Sequence, residues 1–279
     1  MTQKIDDTTT QKTDDTSPGK GEMLPFTKSV ADSDVLSYAQ LEELRQVLKR
    51  AVEEKSMALV TGEAGVGKTT GVRSFIQQLP TNKFTVVYSG QTQDGLTIWD
   101  GLARSLGITP KRFRPHTRMQ INQFLSDNLI EQGKDIILVI DEAHLLTNST
   151  LEEIRLLTNA DFDRTSPLTV ILVGQLSLRT RLKSVGFEAL SQRLKYRYAL
   201  EGFTEEDTAH YIKHRLRIAS VKDDLFTPDA IRRIFLASQG IPREINNLCA
   251  AAYLNAQNSG STKIDGKLVG YLLDQRDVN

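Results

Sequence analysis

The sequence predicts an α/β protein: a mostly parallel five-stranded sheet followed by a smaller all-helical domain. Three observations lead there. A complete phosphate-loop pattern lies between an apolar run and a helix-like run. Further short apolar runs then alternate with amphipathic segments of helix length, the pattern of a sheet covered on both faces. From Phe203 onward the helical pattern continues alone. The division expected is a polar tail at 1–24, an α/β domain at 25–202 and a helical domain at 203–279.

The loop is Gly62-Glu63-Ala64-Gly65-Val66-Gly67-Lys68-Thr69, followed by Thr70. It fills every fixed position of G-x-x-x-x-G-K-[ST]. Ser56–Thr61 before it reads as a buried strand, and Thr70–Ile76 after it reads as a helix. Glycines let backbone N–H groups turn inward around phosphate oxygens at a helix N-terminus. The Lys68 ammonium can reach the β- and γ-phosphates, and the Thr69 hydroxyl can hold Mg²⁺.

Residues 1–24 are rich in Thr, Asp, Lys, Gln and Gly and too poor in apolar side chains to build a core. Residues 39–54 place Leu41, Leu44, Leu48, Ala51 and Val52 on one helix face. Phe84–Tyr88 is a second strand. Leu96, Trp99, Leu102, Ala103 and Leu106 mark a helix ending near Gly107, with Trp99 read as core. Pro110–Arg118 is the densest basic stretch, and its two prolines predict a loop. Its cations suit phosphate contacts or simply a solvated loop. Met119–Gln132 reads as a helix.

Ile136–Ile140 is a continuous apolar run, as in a parallel strand buried on both faces, and it ends in Asp141-Glu142. Ser149 and Glu152 have capping-box spacing before a helix that turns Leu151, Ile154 and Leu157 inward. Leu168–Val173 is a fourth strand, ending in Gly174-Gln175, and Lys195–Leu200 a fifth. In the helical part, Thr204 and Asp207 form a capping box and Thr227-Pro228 a helix start. Gly240-Ile241-Pro242 ends one helix and opens the next.

The chemistry converges on strand ends. An Asp at 141 can hold Mg²⁺, and a Glu at 142 can polarise the water that attacks a γ-phosphate. Gln175 could orient that water or sense the γ-phosphate, or be a surface Gln in a turn. Arg243 opens a helix and could reach the nucleotide across the interdomain cleft. Arg193, before the last strand, could serve a neighbouring subunit's nucleotide or sit in a surface ion pair; Arg197 is the next candidate. The four histidines are scattered and suggest no metal cluster, with His144 read as structural.

Bulk composition narrows the classes. The chain has 279 residues, 35 Lys plus Arg against 35 Asp plus Glu, and a net charge of zero, which excludes a generally basic histone-like binder. One cysteine, Cys249, allows no internal disulfide and reads as core. A polar N-terminus without a signal-peptide core and the lack of a membrane-length apolar run lead us to expect a cytoplasmic protein without a membrane span.

Gly62–Thr69, Ile140-Asp141-Glu142-Ala143-His144, Leu172-Val173-Gly174-Gln175 and Gly240-Ile241-Pro242-Arg243 occur in that order. With Leu151–Asn159 and Tyr211–Leu216, the set resembles the AAA+ ATPases of the ExeA-like, TniB/TnsC/MuB-like group, over roughly residues 25–275. The resemblance implies an ASCE sheet with a helical lid, and ATP hydrolysed at a cleft between subunits. By motif position it makes Lys68 and Thr69 Walker A, Asp141 and Glu142 Walker B, Gln175 sensor 1 and Arg243 sensor 2. Arg193 is the choice for the arginine finger.

Within the group, secretion-associated ExeA-like proteins carry a membrane segment and an envelope domain after the ATPase, whereas stand-alone members work with transposases. This chain stops after the lid, so the sequence leads us to expect a DNA-binding regulator of transposition. Such a protein assembles with ATP as a ring or filament on double-stranded DNA and recruits a transposase, with or without a target-selection adaptor. Location within that subgroup maps DNA contacts onto Lys111, Arg112, Arg114 and Arg118. The alternative is an ExeA-like secretion or assembly ATPase acting on protein partners without DNA.

Overall fold

The computed structural model describes residues 24–27, 31, 34–89, 98–131, 133–159 and 166–276. Of the expected tail only Leu24 falls among them. Leu96 and Gln132, assigned from the sequence to helices, lie outside the described residues.

The chain runs α1 (Ala39–Glu53), β1 (Met57–Gly62), α2 (Lys68–Ile76), β2 (Phe84–Ser89), α3 (Ile98–Ser105), α4 (Arg114–Ile130), β3 (Asp135–Ile140), α5 (Asn148–Leu157), β4 (Leu168–Gly174), α6 (Leu176–Arg181), α7 (Glu188–Arg193) and β5 (Leu194–Leu200). The helices α8 (Glu205–Ile218), α9 (Pro228–Ser238), α10 (Pro242–Ser259) and α11 (Gly266–Arg276) follow. The five strands form one parallel sheet, as the sequence led us to expect, in the order β2-β3-β4-β1-β5.

The continuous apolar runs become legible once the faces are separated. Met57, Leu59, Leu138, Ile140, Val170 and Leu172 point to one side, where Leu102, Ile121, Leu125, Leu151, Ile154 and Leu190 cover them. Ala58, Val60, Ile137, Val139, Ile171 and Val173 point to the other, against Leu44, Leu48, Val72 and Phe75. The period of two thus feeds both cores at once, and a strand buried on both faces has no polar side to show. Each fully buried Leu or Ile contributes about 1.5–3 kcal/mol through removal from water. Crossovers bring the carboxyl ends of β1, β3 and β4 to one rim, where an open α/β sheet forms its ligand crevice.

A separate core holds the helical part: Phe203, Ile212, Leu216, Phe226, Ile234, Ile245, Leu248, Cys249, Ile264 and Val269. Cys249 is buried, and burial pushes its thiol well above the usual range, so it is an inert core group. Phe26 joins this core, packing edge-on against Phe226 at 5.9 Å. Nearby, the buried Arg215 donates to the Thr27 carbonyl (2.7 Å), and Tyr38 packs edge-on against Phe203 (4.8 Å). Phe26, Thr27 and Tyr38, ahead of α1, therefore lie on the helical core.

Helix ends follow local chemistry, with two corrections. The expected boxes at Thr204/Asp207 and the cap at Thr227-Pro228 form. For α5 the N-cap is Thr147, whose hydroxyl accepts from Thr150 N–H (3.2 Å), not Ser149. The basic stretch is not a loop throughout: α4 begins at Arg114, with Pro115 in its first turn. Proline's fixed φ suits that position and its missing N–H costs nothing there, so a proline read as a breaker is a starter.

Candidate active site

The rim carries a cavity of about 860 Å³ lined by Ala64–Gly71 and Arg73 with Glu142, Gln175 and Arg243, and by Val35, Leu36 and Tyr38 from the stretch before α1. β1 delivers the loop at Gly62, and α2 leaves it at Lys68. Glu63 and Ala64 are exposed, while Val66 is buried and pins the loop to the core. Gly65 and Gly67 have φ of 87° and 104°, the left-handed region open to glycine. Gly65 has a second constraint: a Cβ there would lie 2.7 Å from Arg243 Cβ. The Arg243 N–H also points at the Gly65 carbonyl (3.3 Å), so α10 rests directly on the phosphate loop.

Lys68 is 7% exposed. Its ammonium donates to the Gly62 carbonyl (3.0 Å) and the Glu63 carbonyl (2.8 Å). Burial lowers its pKa, with Glu142 and Asp141 acting in the opposite direction. A buried cation whose hydrogen bonds go to neutral carbonyls is suited to receive an anion.

Across the cleft, the Thr69 hydroxyl donates to Asp141 Oδ2 (2.7 Å), and the Glu142 N–H donates to Asp141 Oδ1 (2.8 Å). A hydroxyl beside a carboxylate, both hard oxygen donors, is the set Mg²⁺ prefers. Glu142 stands at φ 52°, a left-handed conformation that costs a non-glycine residue about 1–3 kcal/mol. Its side chain lines the cavity. His144 Nδ1 lies 3.3 Å from Glu142 Oε2, without hydrogen-bond alignment. Arg181 holds the turn after Glu142 through the carbonyls of His144 (3.2 Å) and Leu146 (2.7 Å).

Gln175 is the N-cap residue of α6 and lines the cavity. Arg193 ends α7, outside the lining of the cavity. Arg197 is committed to the C-terminal end of α7, donating to the Ser191 carbonyl (2.6 Å) and hydroxyl (2.7 Å). Lys111 and Arg112 are exposed ahead of α4, and Arg114 opens it. Arg118 turns inward: it pairs with Glu153 (2.6 Å) and lies over Trp99 (5.8 Å), whose indole N–H also donates to Glu153 (2.8 Å).

Sequence reasoning missed Tyr88. Its hydroxyl donates to Asp141 Oδ2 at 2.5 Å. Burial and then the bond to Asp141 hold its pKa well above the usual tyrosine range, so it stays a donor. The available signal was its place, one residue from the end of a strand beside β3. Asn246 and Asn247 of α10 were missed too, because nothing in their local pattern marks them as cavity residues.

Comparison with known proteins fits this geometry. The model of the AAA domain family matches residues 38–182. General secretion pathway protein A of Aeromonas hydrophila is 35% identical over 210 residues, covering 74% of this chain and 38% of that protein. The chain thus spans about two fifths of the length of that relative. Among solved structures, Cdc6p of Pyrobaculum aerophilum superposes with a TM-score of 0.60 at 21% identity, covering 84% of this chain and 68% of the other. Orc1 of Aeropyrum pernix, in complex with DNA, gives 0.58 at 17%, with 87% and 66% covered. The RuvB Holliday junction branch migration motor of Thermotoga maritima gives 0.55 at 18%, with 84% and 68% covered. At these identities the structures speak for the fold alone.

One expectation is overturned. The sequence led us to expect a DNA-assembled regulator of transposition with a transposase partner, but the curated relative is a general secretion pathway protein. The choice had rested on where the chain stops and on the location of the basic stretch, neither of which is a site. No helix among the described residues is long and apolar enough to cross a membrane. The family match over 38–182, with the loop and Glu142 lining one cleft and Asp141 bonded to Thr69 of the loop, settles the classification: the chain belongs to the AAA domain family and is an ATPase.

Proposed function

We propose that this ATPase belongs to the secretion or assembly class and uses ATP to drive work on protein partners. The observation that carries the reading is the 35% identity over 210 residues to a general secretion pathway protein. In this reading ATP occupies the cavity between the loop and α10. The Lys68 ammonium leaves the Gly62 and Glu63 carbonyls for the β- and γ-phosphates. The N–H groups of 64–70 surround the phosphates, and Thr69 with Asp141 holds Mg²⁺. Magnesium, when bound, supplies charge neutralisation at the phosphate oxygens. Glu142 takes the proton of the attacking water, and Gln175 orients that water. Arg243, seated on Gly65, links the γ-phosphate to the helical domain, so hydrolysis alters the contact between loop and lid. Arg193 reaches the nucleotide of a neighbouring copy in a homo-oligomer.

Sedimentation of the full chain with a non-hydrolysable ATP analogue or ADP, with and without duplex DNA, tests this. Triphosphate-driven assembly indifferent to DNA supports it. Assembly that requires DNA contradicts it. Crosslinking in cells from the Glu142→Gln variant, held in its triphosphate state, then retrieves the protein partner.

A further inference from the structure

The carboxylate of Asp141 has a third donor that the phosphate-loop pattern does not include. Asp141 Oδ2 accepts from Thr69 Oγ1 at 2.7 Å and from Tyr88 Oη at 2.5 Å, while Oδ1 accepts from the Glu142 N–H. β2 also fixes the backbone of this residue, because the Asp141 N–H donates to the Ser89 carbonyl (2.9 Å). In the parallel register Tyr88 stands opposite Val139 and Ser89 opposite Ile140. Strand alternation therefore sends the Tyr88 side chain to a fixed place beside the end of β3. Tyr88 is 51% exposed, far more than needed for packing, and it is the only aromatic residue of β2 at the site end. Its ring contributes little to either core; its hydroxyl meets a carboxylate.

We infer that Tyr88 is a positioning residue for the divalent cation of this ATPase, setting the orientation of the Asp141 carboxylate through its hydroxyl. The inference rests on the reading of Thr69 and Asp141 as the metal-holding pair. A carboxylate free to rotate about its own χ2 presents either oxygen to the cation. One tied by Tyr88 on Oδ2 and by the backbone on Oδ1 presents one fixed plane. Thr69 must then turn only its own hydroxyl when the cation enters. Outer partners of metal-holding groups typically change metal affinity by 10–100-fold when removed. The half-exposed position of Tyr88 places the expected change near the lower figure.

Tyr88→Phe removes the hydroxyl and keeps the ring; Tyr88→Leu removes both. Mn²⁺ serves as the probe, followed by electron paramagnetic resonance, with the full chain in excess over a non-hydrolysable ATP analogue. The half-saturating Mn²⁺ concentration is expected to rise on the order of 10-fold in both variants. Nucleotide affinity in the presence of a chelator should stay at the wild-type value, which also shows that the variants fold. Wild-type Mn²⁺ binding by Tyr88→Phe overturns the inference, as does a loss confined to Tyr88→Leu, which would make the ring structural. Asp141→Asn separates the levels: if it too binds Mn²⁺ like the wild type, the metal reading of Asp141 fails, and not merely the role of Tyr88.

Discussion

The two walls of the nucleotide cleft are built by different physics. The α/β wall is local: Gly62–Thr69 follow one another in the chain, and the side-chain hydrogen bonds of Lys68 and Thr69 run within the loop or to the adjacent strand end at Asp141. The helical wall is assembled from distance. Val35, Leu36, Tyr38, Tyr211, Arg243 and Asn246 come from three segments, brought together by a core of their own. The two walls touch where Arg243 meets Gly65.

That contrast can be broken at four points, in falling order of effect on nucleotide binding. Lys68→Ala removes the buried cation of the α/β wall, and nucleotide affinity should fall by about 100-fold or more, measured by calorimetric titration. Gly65→Ala places a methyl group 2.7 Å from Arg243 Cβ at a φ of 87°. It should weaken nucleotide binding roughly 10-fold and stability by about 1–3 kcal/mol, read by thermal melts with and without nucleotide. A double variant with Arg243→Gly should recover part of the loss if the clash with α10 is its cause. Phe26→Ala opens a hole in the helical core. It should cost about 3 kcal/mol in denaturant unfolding, with the helical domain losing amide protection before the sheet does. Arg118→Ala breaks a half-exposed pair with Glu153 far from the cleft and should cost under about 1 kcal/mol while leaving the ATPase rate unchanged.

The same contrast explains what was legible in the sequence. The strands, their alternation with helices and the phosphate loop were readable because short-range patterns carry them: period two, period 3.6, and glycine where φ turns positive. Asp141 and Glu142 were readable because a strand end is a place the topology fixes. The lodging of Phe26 in the helical core was not, since one aromatic in an aperiodic stretch has no local partner. Tyr88 was hidden for a related reason: its significance lies in a neighbour 53 positions away, across a strand pair whose register no local pattern states. Pro115 shows the reverse error, in which a strong local signal had two meanings and only the helix built around it chose between them. Biological role was least legible of all. The basic stretch suggested nucleic acid by its location alone, and one of its four cations, Arg118, is turned onto Glu153 and Trp99.

In the proposed mechanism the loop binds the nucleotide while Glu142, which lines the cleft, acts as the base. Glu142→Gln keeps the shape and removes the base. ATP affinity and hydrolysis rate measured on the same preparation should show binding within about 3-fold of wild type and turnover reduced by about 100-fold or more. Hydrolysis at the wild-type rate with intact binding would contradict the account and take the base away from Glu142.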